Sequence, residues 1–133
     1  MLIDSSFAID LLEGLPQARS LAEEIDRSGE SLLLPAPTIF ELWVGASESG
    51  ESRSTIEHVE ALVSAYPVAD FRREDARAAG EIQAAMARTG RALGTVDAQL
   101  VGMCLARSET LLTADSRLLR LGHGLRVRAY RAR

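Results

Sequence analysis

Short apolar runs alternate with amphipathic stretches along the chain. Leu2-Ile3 opens the first run, and Leu32-Leu33-Leu34, bounded by Gly29 and by Pro35 and Pro37, is the second. Pro67-Val68-Ala69 is a weak third run and Thr110-Leu111-Leu112-Thr113 the fourth. All four are apolar on both faces, as strands of a parallel sheet covered by helices are. Leu125-Arg126-Val127-Arg128-Ala129 alternates instead, which predicts a half-exposed edge strand. Between the runs, apolar positions recur at helical spacing. Ala18, Leu21, Ala22 and Ile25 mark one face; Ile39, Leu42, Trp43 and Ala46 mark the next. Ile56, Val59, Leu62, Val63 and Tyr66 follow, then Ala79, Ile82 and Met86, then Val96, Leu100, Met103 and Cys104. Strands and helices in this order predict a three-layer α/β/α sandwich around a central, mostly parallel sheet with right-handed crossovers. No repeat, low-complexity tract or long linker interrupts the pattern, so residues 1–133 are expected to form a single domain.

In open parallel α/β sheets, ligands collect outside the carboxyl ends of the strands, where helices begin. The side chains at those junctions are all of one kind. Asp4 follows the first run, with Ser5 and Ser6 behind it, and Thr38-Ile39-Phe40-Glu41 follows the second. Gly94-Thr95-Val96-Asp97 opens the helix before the fourth run, and Thr113-Ala114-Asp115-Ser116 closes that run. Taken singly, each acid has a capping explanation. Thr38 and Glu41 match a capping box, and Asp97 suits a first helical turn capped by Thr95. Asp4 and Asp115 suit the N-caps of helices over residues 5–13 and 116–121. Taken together, the weighing reverses, because a serine or threonine beside each acid already suffices for capping. Four carboxylates converging on one sheet edge repel one another and raise each other's pKa values, a cost that a divalent cation removes. All the donors are oxygen, which suits the hard ions Mg²⁺ or Mn²⁺ and not zinc. Asp4, Glu41, Asp97 and Asp115 are therefore the candidate catalytic residues and metal ligands. Mg²⁺ held by carboxylates keeps several waters and binds phosphate oxygens, which suits phosphate-ester hydrolysis without a protein nucleophile.

Composition narrows the alternatives. With 133 residues, 47% of them apolar, the chain can bury a core and is neither disordered nor membrane-embedded. No apolar run approaches the roughly 18–20 residues of a bilayer span. Met1-Leu2-Ile3-Asp4 reaches an acid with no basic region before it, so a cytoplasmic location is expected. Cys104 is the single cysteine, which excludes a disulfide framework and a thiolate zinc cluster and predicts a buried thiol. The net charge of −4 argues weakly against a protein that coats nucleic acid, but a total says nothing of a local groove. All 15 basic residues are arginine, so lysine-dependent chemistry is excluded: Schiff bases, phosphate-loop NTPases and kinases. No G-x-S-x-G elbow, H-E-x-x-H helix or Gly-rich phosphate loop is present.

The four acidic motifs, in this order, resemble those of the PIN-domain family. Met1-Leu2-Ile3-Asp4-Ser5-Ser6, with Ile9 after it, looks like the family's opening, and Glu41 in Thr38-Ile39-Phe40-Glu41-Leu42 looks like its helix-borne glutamate. Gly94-Thr95-Val96-Asp97-Ala98-Gln99-Leu100-Val101-Gly102 is similar to the third motif, and Leu111-Leu112-Thr113-Ala114-Asp115 to the fourth. Length and short loops further resemble the VapC-type toxins of toxin–antitoxin pairs. The resemblance implies a Mg²⁺-dependent endoribonuclease, homodimeric and neutralised by a small antitoxin whose tail blocks the site. It also implies Asp4 and Asp97 as principal metal ligands, Glu41 and Asp115 as completing the pocket, and Ser6 and Thr113 as orienting the acids or a bound water. One departure stands out: where many members carry a further acid two residues after the fourth, this chain has Arg117. A second metal would then be held weakly, or only with RNA bound.

Other polar residues suit solvated surfaces. His58 lies between Glu57 and Glu60, and His123 lies in the turn Gly122-His123-Gly124. Arg72, Arg73, Arg77, Arg88, Arg91, Arg126, Arg128, Arg131 and Arg133 are either solvated or available to RNA phosphates. Two rivals to the nuclease reading remain. A phosphatase or phospho-acceptor domain also places acids at strand ends, but normally wants a lysine. A non-catalytic PIN-like domain binding RNA or a protein partner would be favoured by an incomplete acidic set, and here all four positions are filled.

Overall fold

A computed structural model describes residues 1–50 and 52–130. Five strands and seven helices appear among them: β1 (Leu2–Ile3), α1 (Ser5–Leu12), α2 (Pro16–Arg27), β2 (Leu34–Pro35), α3 (Ala36–Glu48), α4 (Arg53–Ala65), β3 (Val68–Ala69), α5 (Arg73–Arg88), α6 (Thr95–Arg107), β4 (Leu111–Thr113), α7 (Ser116–Leu119) and β5 (Val127–Ala129). Each of the five apolar runs contains a strand. The second strand begins at the last residue of its run, Leu34, because Leu33 instead bridges to Leu2: the Leu33 amide donates to the Met1 carbonyl (2.9 Å) and the Ile3 amide to the Leu33 carbonyl (3.1 Å). That bridge joins the three-stranded unit β1-β4-β5 to the two-stranded unit β2-β3. The order across both is β3-β2-β1-β4-β5, and every paired strand is parallel. β5 lies at an edge, half-buried at Val127 and Arg128 and exposed at Ala129, as its alternation predicts.

The three layers follow from the pleat. Successive strand residues face opposite sides, and the two buried clusters divide accordingly. Ile3 and Leu112 pack with Phe7, Ala18, Ile25, Leu42, Val59 and Leu62 from α1 to α4. Leu2 and Leu111 pack with Ile82, Met86, Leu100, Met103 and Leu118 from α5 to α7. Fully burying one such leucine contributes roughly 1.5–3 kcal/mol, so a two-residue strand serving both faces is strongly held in register. Cys104 belongs to the second cluster, where burial pushes its thiol up to about 12, the inert core cysteine the sequence predicts. α5 and α6 pack backbone to backbone at Gly102, where a Cβ would come within 2.4 Å of the Ala79 amide nitrogen. A buried ion pair ties the same helices together: Arg107 near the end of α6 donates to both oxygens of Asp75, at 3.1 and 2.6 Å. Asp75 is fully buried and also caps the start of α5 by accepting from the Arg72 amide (2.7 Å).

Candidate active site

The strand order reverses direction between β1 and β4, the point at which an open parallel sheet offers a crevice. Asp4 follows β1, and Thr113 and Asp115 end and follow β4. Asp4 is buried and caps α1 through the Phe7 amide (3.1 Å). Ser6 donates to the same oxygen (2.7 Å), and the Thr113 hydroxyl donates to the other. A carboxylate offers about four acceptor positions, so three donors fix Asp4 and leave one lone pair for another ligand. Thr113 also accepts from the Asp115 amide (3.0 Å), which couples the first and fourth junctions. Ser6 and Thr113 thus orient the first acid, one of the roles the resemblance implies for them.

The capping explanations divide. Asp4 and Asp115 do cap α1 and α7, Asp115 accepting from the Arg117 amide (2.8 Å). The predicted capping box at Thr38 and Glu41 does not form. α3 begins earlier than the motif suggests, with Pro35 at its cap, so Thr38 lies inside the helix. Its buried hydroxyl donates to the Ile3 carbonyl (2.9 Å), which ties α3 to the end of β1. Glu41 instead accepts from Ser5, the residue after Asp4, and so is brought beside the β1 junction. Thr95 does not cap α6 either; Gly94 takes the N-cap without a side-chain bond, and Asp97 stands free of capping in the first turn. Its burial with no capping donor is the first sign of another use.

The electrostatics bring all four acids together. Burial raises the pKa of Asp97 above the usual carboxylate range; the Asp115 charge raises it further, Arg117 opposes, and Glu41 and Asp4 add smaller increments. Burial also raises Asp4, against hydrogen bonds from Thr113, Ser6 and Phe7, with Asp115 adding to the rise. Asp115 moves the other way, chiefly because the Arg117 side chain donates to it. Arg117 lies 3.0 Å from an Asp115 oxygen and 3.5 Å from an Asp97 oxygen. One guanidinium therefore bridges two of the acids, its side chain 67% exposed. Among the described residues, no three acids, histidines or cysteines are drawn closely enough together to enclose an ion. Mutual repulsion, the Ser5 bond to Glu41 and the Arg117 bridge account for that open arrangement. The donor chemistry nonetheless fits a hard divalent cation: only oxygens, from Asp97 and the three acids whose charges it feels.

Two roles are not legible in the sequence. Arg117, at a position where the family resemblance leads one to expect an acid, is the counter-charge of Asp97 and Asp115. Thr38, one turn inside a Pro-started helix and not at its cap, anchors the end of β1. Both histidines are exposed, His58 along a cleft that Glu41 also lines. Several arginines offered for phosphate contact are engaged elsewhere, Arg72 with Asp75, Arg77 with Glu81 and Arg128 with Glu24. Arg126 donates to the Ser108 carbonyl. Arg131 and Arg133 lie outside the described residues.

Comparison with known proteins agrees with this geometry. The family model described as the PIN domain matches residues 1–124, a stretch containing all four acids. The chain belongs to the PIN-domain family. It is 26% identical over 126 residues to the tRNA(fMet)-specific endonuclease VapC of Shigella flexneri, covering 95% of this chain and 94% of that protein. Its fold is that of a chain in the structure of VapBC2 from Rickettsia felis bound to a promoter DNA fragment, with a TM-score of 0.89 at 14% identity over 98% of both chains. A chain of the DNA-bound VapBC structure from Salmonella typhimurium shares it as well, at a TM-score of 0.85 and 23% identity over 96% of both. The parallel sheet and flanking helices of this PIN domain are thus common to chains of very different sequence.

Proposed function

We propose that this PIN domain, as a single unit over residues 1–133, is a metal-dependent endoribonuclease that hydrolyses RNA phosphodiester bonds and serves as the toxin of a type II toxin–antitoxin pair. The observation that carries the reading is the position of Asp97 in the combined field of Asp115, Glu41 and Asp4. Asp4, Glu41, Asp97 and Asp115 would hold Mg²⁺, with Mn²⁺ as an alternative, because all offer hard oxygen donors. When bound, such an ion activates water and neutralises phosphodiester charge. The chain's own residues do the positioning. Thr113, Ser6 and the Phe7 amide hold Asp4 in one orientation; Ser5 holds Glu41 against the same junction; Asp97 presents an uncapped carboxylate. Arg117, exposed and already beside two acids, is placed to contact phosphate oxygens once it is released from them.

Similarity to a VapC endonuclease, and to chains from VapBC structures, supports RNA as substrate and a small antitoxin as partner. The exposed apolar side chains Ile9, Phe40, Val44, Val68 and Phe71 offer surface for that partner and for a second copy of the chain. No helix of the described residues is long and apolar enough to cross a membrane, which is consistent with a cytoplasmic enzyme. The test is cleavage of mixed single-stranded RNA by the purified chain with Mg²⁺, with Mn²⁺ and with EDTA. Cleavage is expected with either ion and none with EDTA; undiminished cleavage in EDTA, or none under any condition, overturns the reading. One observation favours the alternative of a non-catalytic RNA- or protein-binding PIN-like domain, namely the Arg117 bridge across Asp97 and Asp115. That alternative predicts RNA or partner binding with no cleavage.

A further inference from the structure

Beside the acids lies a cleft of about 320 Å³ whose charge is opposite to theirs. Arg91, Arg117 and Arg120 line it, together with Ser116, over a floor that includes Met86 and Leu93, and none of its lining residues is acidic. Arg117 belongs to both places, so the cleft opens directly beside Asp97 and Asp115. Unlike Arg72, Arg77, Arg107 and Arg128, Arg91 and Arg120 form no ion pair among the described residues. Both guanidiniums are exposed and, among the described residues, unpaired at one cleft, so they are free to meet an anionic ligand there.

The cleft is built rather than incidental. After α5 the chain turns through Thr89 and Gly90, the glycine in the left-handed region (φ 68°). The Arg91 amide is fixed to the Met86 carbonyl (2.9 Å). The Gln83 side chain then clamps Leu93 from both sides, accepting from its amide (2.8 Å) and donating to its carbonyl (2.5 Å). Arg91 is thereby carried on a pinned loop, while Ser116, Arg117 and Arg120 are held by the short helix α7 and its cap. A cleft rimmed by three arginines suits one nucleotide of single-stranded RNA, with its phosphates on the guanidiniums.

We propose that this cleft is an RNA subsite that seats a nucleotide flanking the scissile bond, with Arg91 and Arg120 as its phosphate contacts. The proposal rests on the nuclease reading and adds the side from which the substrate strand enters. The experiment compares the parent chain with Arg91→Ala/Arg120→Ala in binding a short fluorescent single-stranded RNA of mixed sequence in EDTA, by anisotropy over a range of salt. An equal-charge control, Arg27→Ala/Arg126→Ala, removes two exposed arginines that do not line the cleft, one at the end of α2 and one just before β5. The cleft variant is expected to bind about tenfold or more weakly, with the slope of log affinity against log salt reduced by about 1.4, or about 0.7 per lost phosphate contact. In cleavage with Mg²⁺ its KM rises while kcat changes little. Unchanged affinity and salt slope, or an equal loss in the control, overturns the subsite. A parent chain that neither binds nor cuts RNA overturns the nuclease reading itself, so the two failures are distinct. Circular dichroism melts of all three proteins exclude unfolding as the cause, since Arg91 and Arg120 are exposed.

Discussion

Asp4 and Asp115 cap helices whereas Glu41 and Asp97 do not, so Asp97 best separates capping from the proposed metal role. It makes no capping bond, so its contribution to helix stability is limited to the dipole interaction in the first turn of α6. Asn at position 97 has nearly the same volume and loses only the favourable interaction with the helix dipole, about 0.3–1 kcal/mol. Its folded-state pKa is raised, so in the ion-free protein the charged carboxylate opposes folding at neutral pH, and removing the charge offsets that loss. Asp97→Asn is therefore expected to melt within a few degrees of the parent in EDTA. Cleavage should fall at least about 100-fold, because a neutral amide is a poor Mg²⁺ ligand and each 1.36 kcal/mol of lost transition-state stabilisation is tenfold in rate. Near-parental cleavage by the purified variant would remove Asp97 from the site. Ser6, Thr113 and Thr38 show why side-chain roles were harder to read than side-chain types. Ser6 and Thr113 both converge on Asp4, whereas Thr38 goes to a backbone carbonyl, and nothing local to the sequence distinguishes those destinations.

Helices α5 and α6 carry Gln83 and Asp97 and flank the loop that holds Arg91, so their mutual fit matters to the site. Two features set it: the backbone contact at Gly102 and the buried Asp75–Arg107 pair. Burial alone would raise Asp75, but the Arg107 hydrogen bonds, the Arg72 amide and the charges of both arginines outweigh it and hold its carboxyl below the usual range. A folded-state pKa below the unfolded value of about 3.9 means that the stabilisation is fully present above that pH. It is lost as pH falls through the folded value. The parent chain should therefore lose stability below about pH 4 by this route. Arg107→Ala leaves Asp75 buried without its main partner, which typically costs about 3–5 kcal/mol at neutral pH. Its stability should also fall less on acidification, because the unpaired carboxyl now takes up a proton readily. Urea denaturation from neutral to acid pH checks both; an unchanged midpoint at neutral pH would show that the pair contributes little. Element boundaries gave way where a local rule competed with pairing. Leu33 left the second strand for a bridge to β1, and Pro35 moved the start of α3 ahead of the motif's threonine.

At the scale of the molecule, the RNA, antitoxin and second copy proposed for this chain would have to share one surface. Exposed Ile9, Phe40 and Val44 lie on α1 and α3, the helices that carry Ser5 and Glu41, so a partner seated there would also approach the acids. We expect the purified chain to be a homodimer at micromolar concentration. Light scattering should return twice the chain mass, and a clean monomer would reject the expectation. The net charge of −4 conceals an open set of acids and a basic cleft side by side, joined by one arginine side chain.

The sequence by itself determined the layer architecture and the chemistry of the site. Two-residue strands apolar on both faces require helices above and below, and helical periodicity supplies them; acids at successive strand ends then point to one edge whatever the details of packing. Only the tertiary structure decided which acid is fixed by which hydroxyl, that Thr38 serves β1 and not its own helix, and that Arg117 bridges Asp97 and Asp115 while lining the neighbouring cleft. Those outcomes depend on distances between residues far apart in the chain, such as Asp4 and Thr113 or Gln83 and Leu93. Hydrophobic periodicity records which face of an element is buried, but it carries no information about what the polar residues at the element's end will meet.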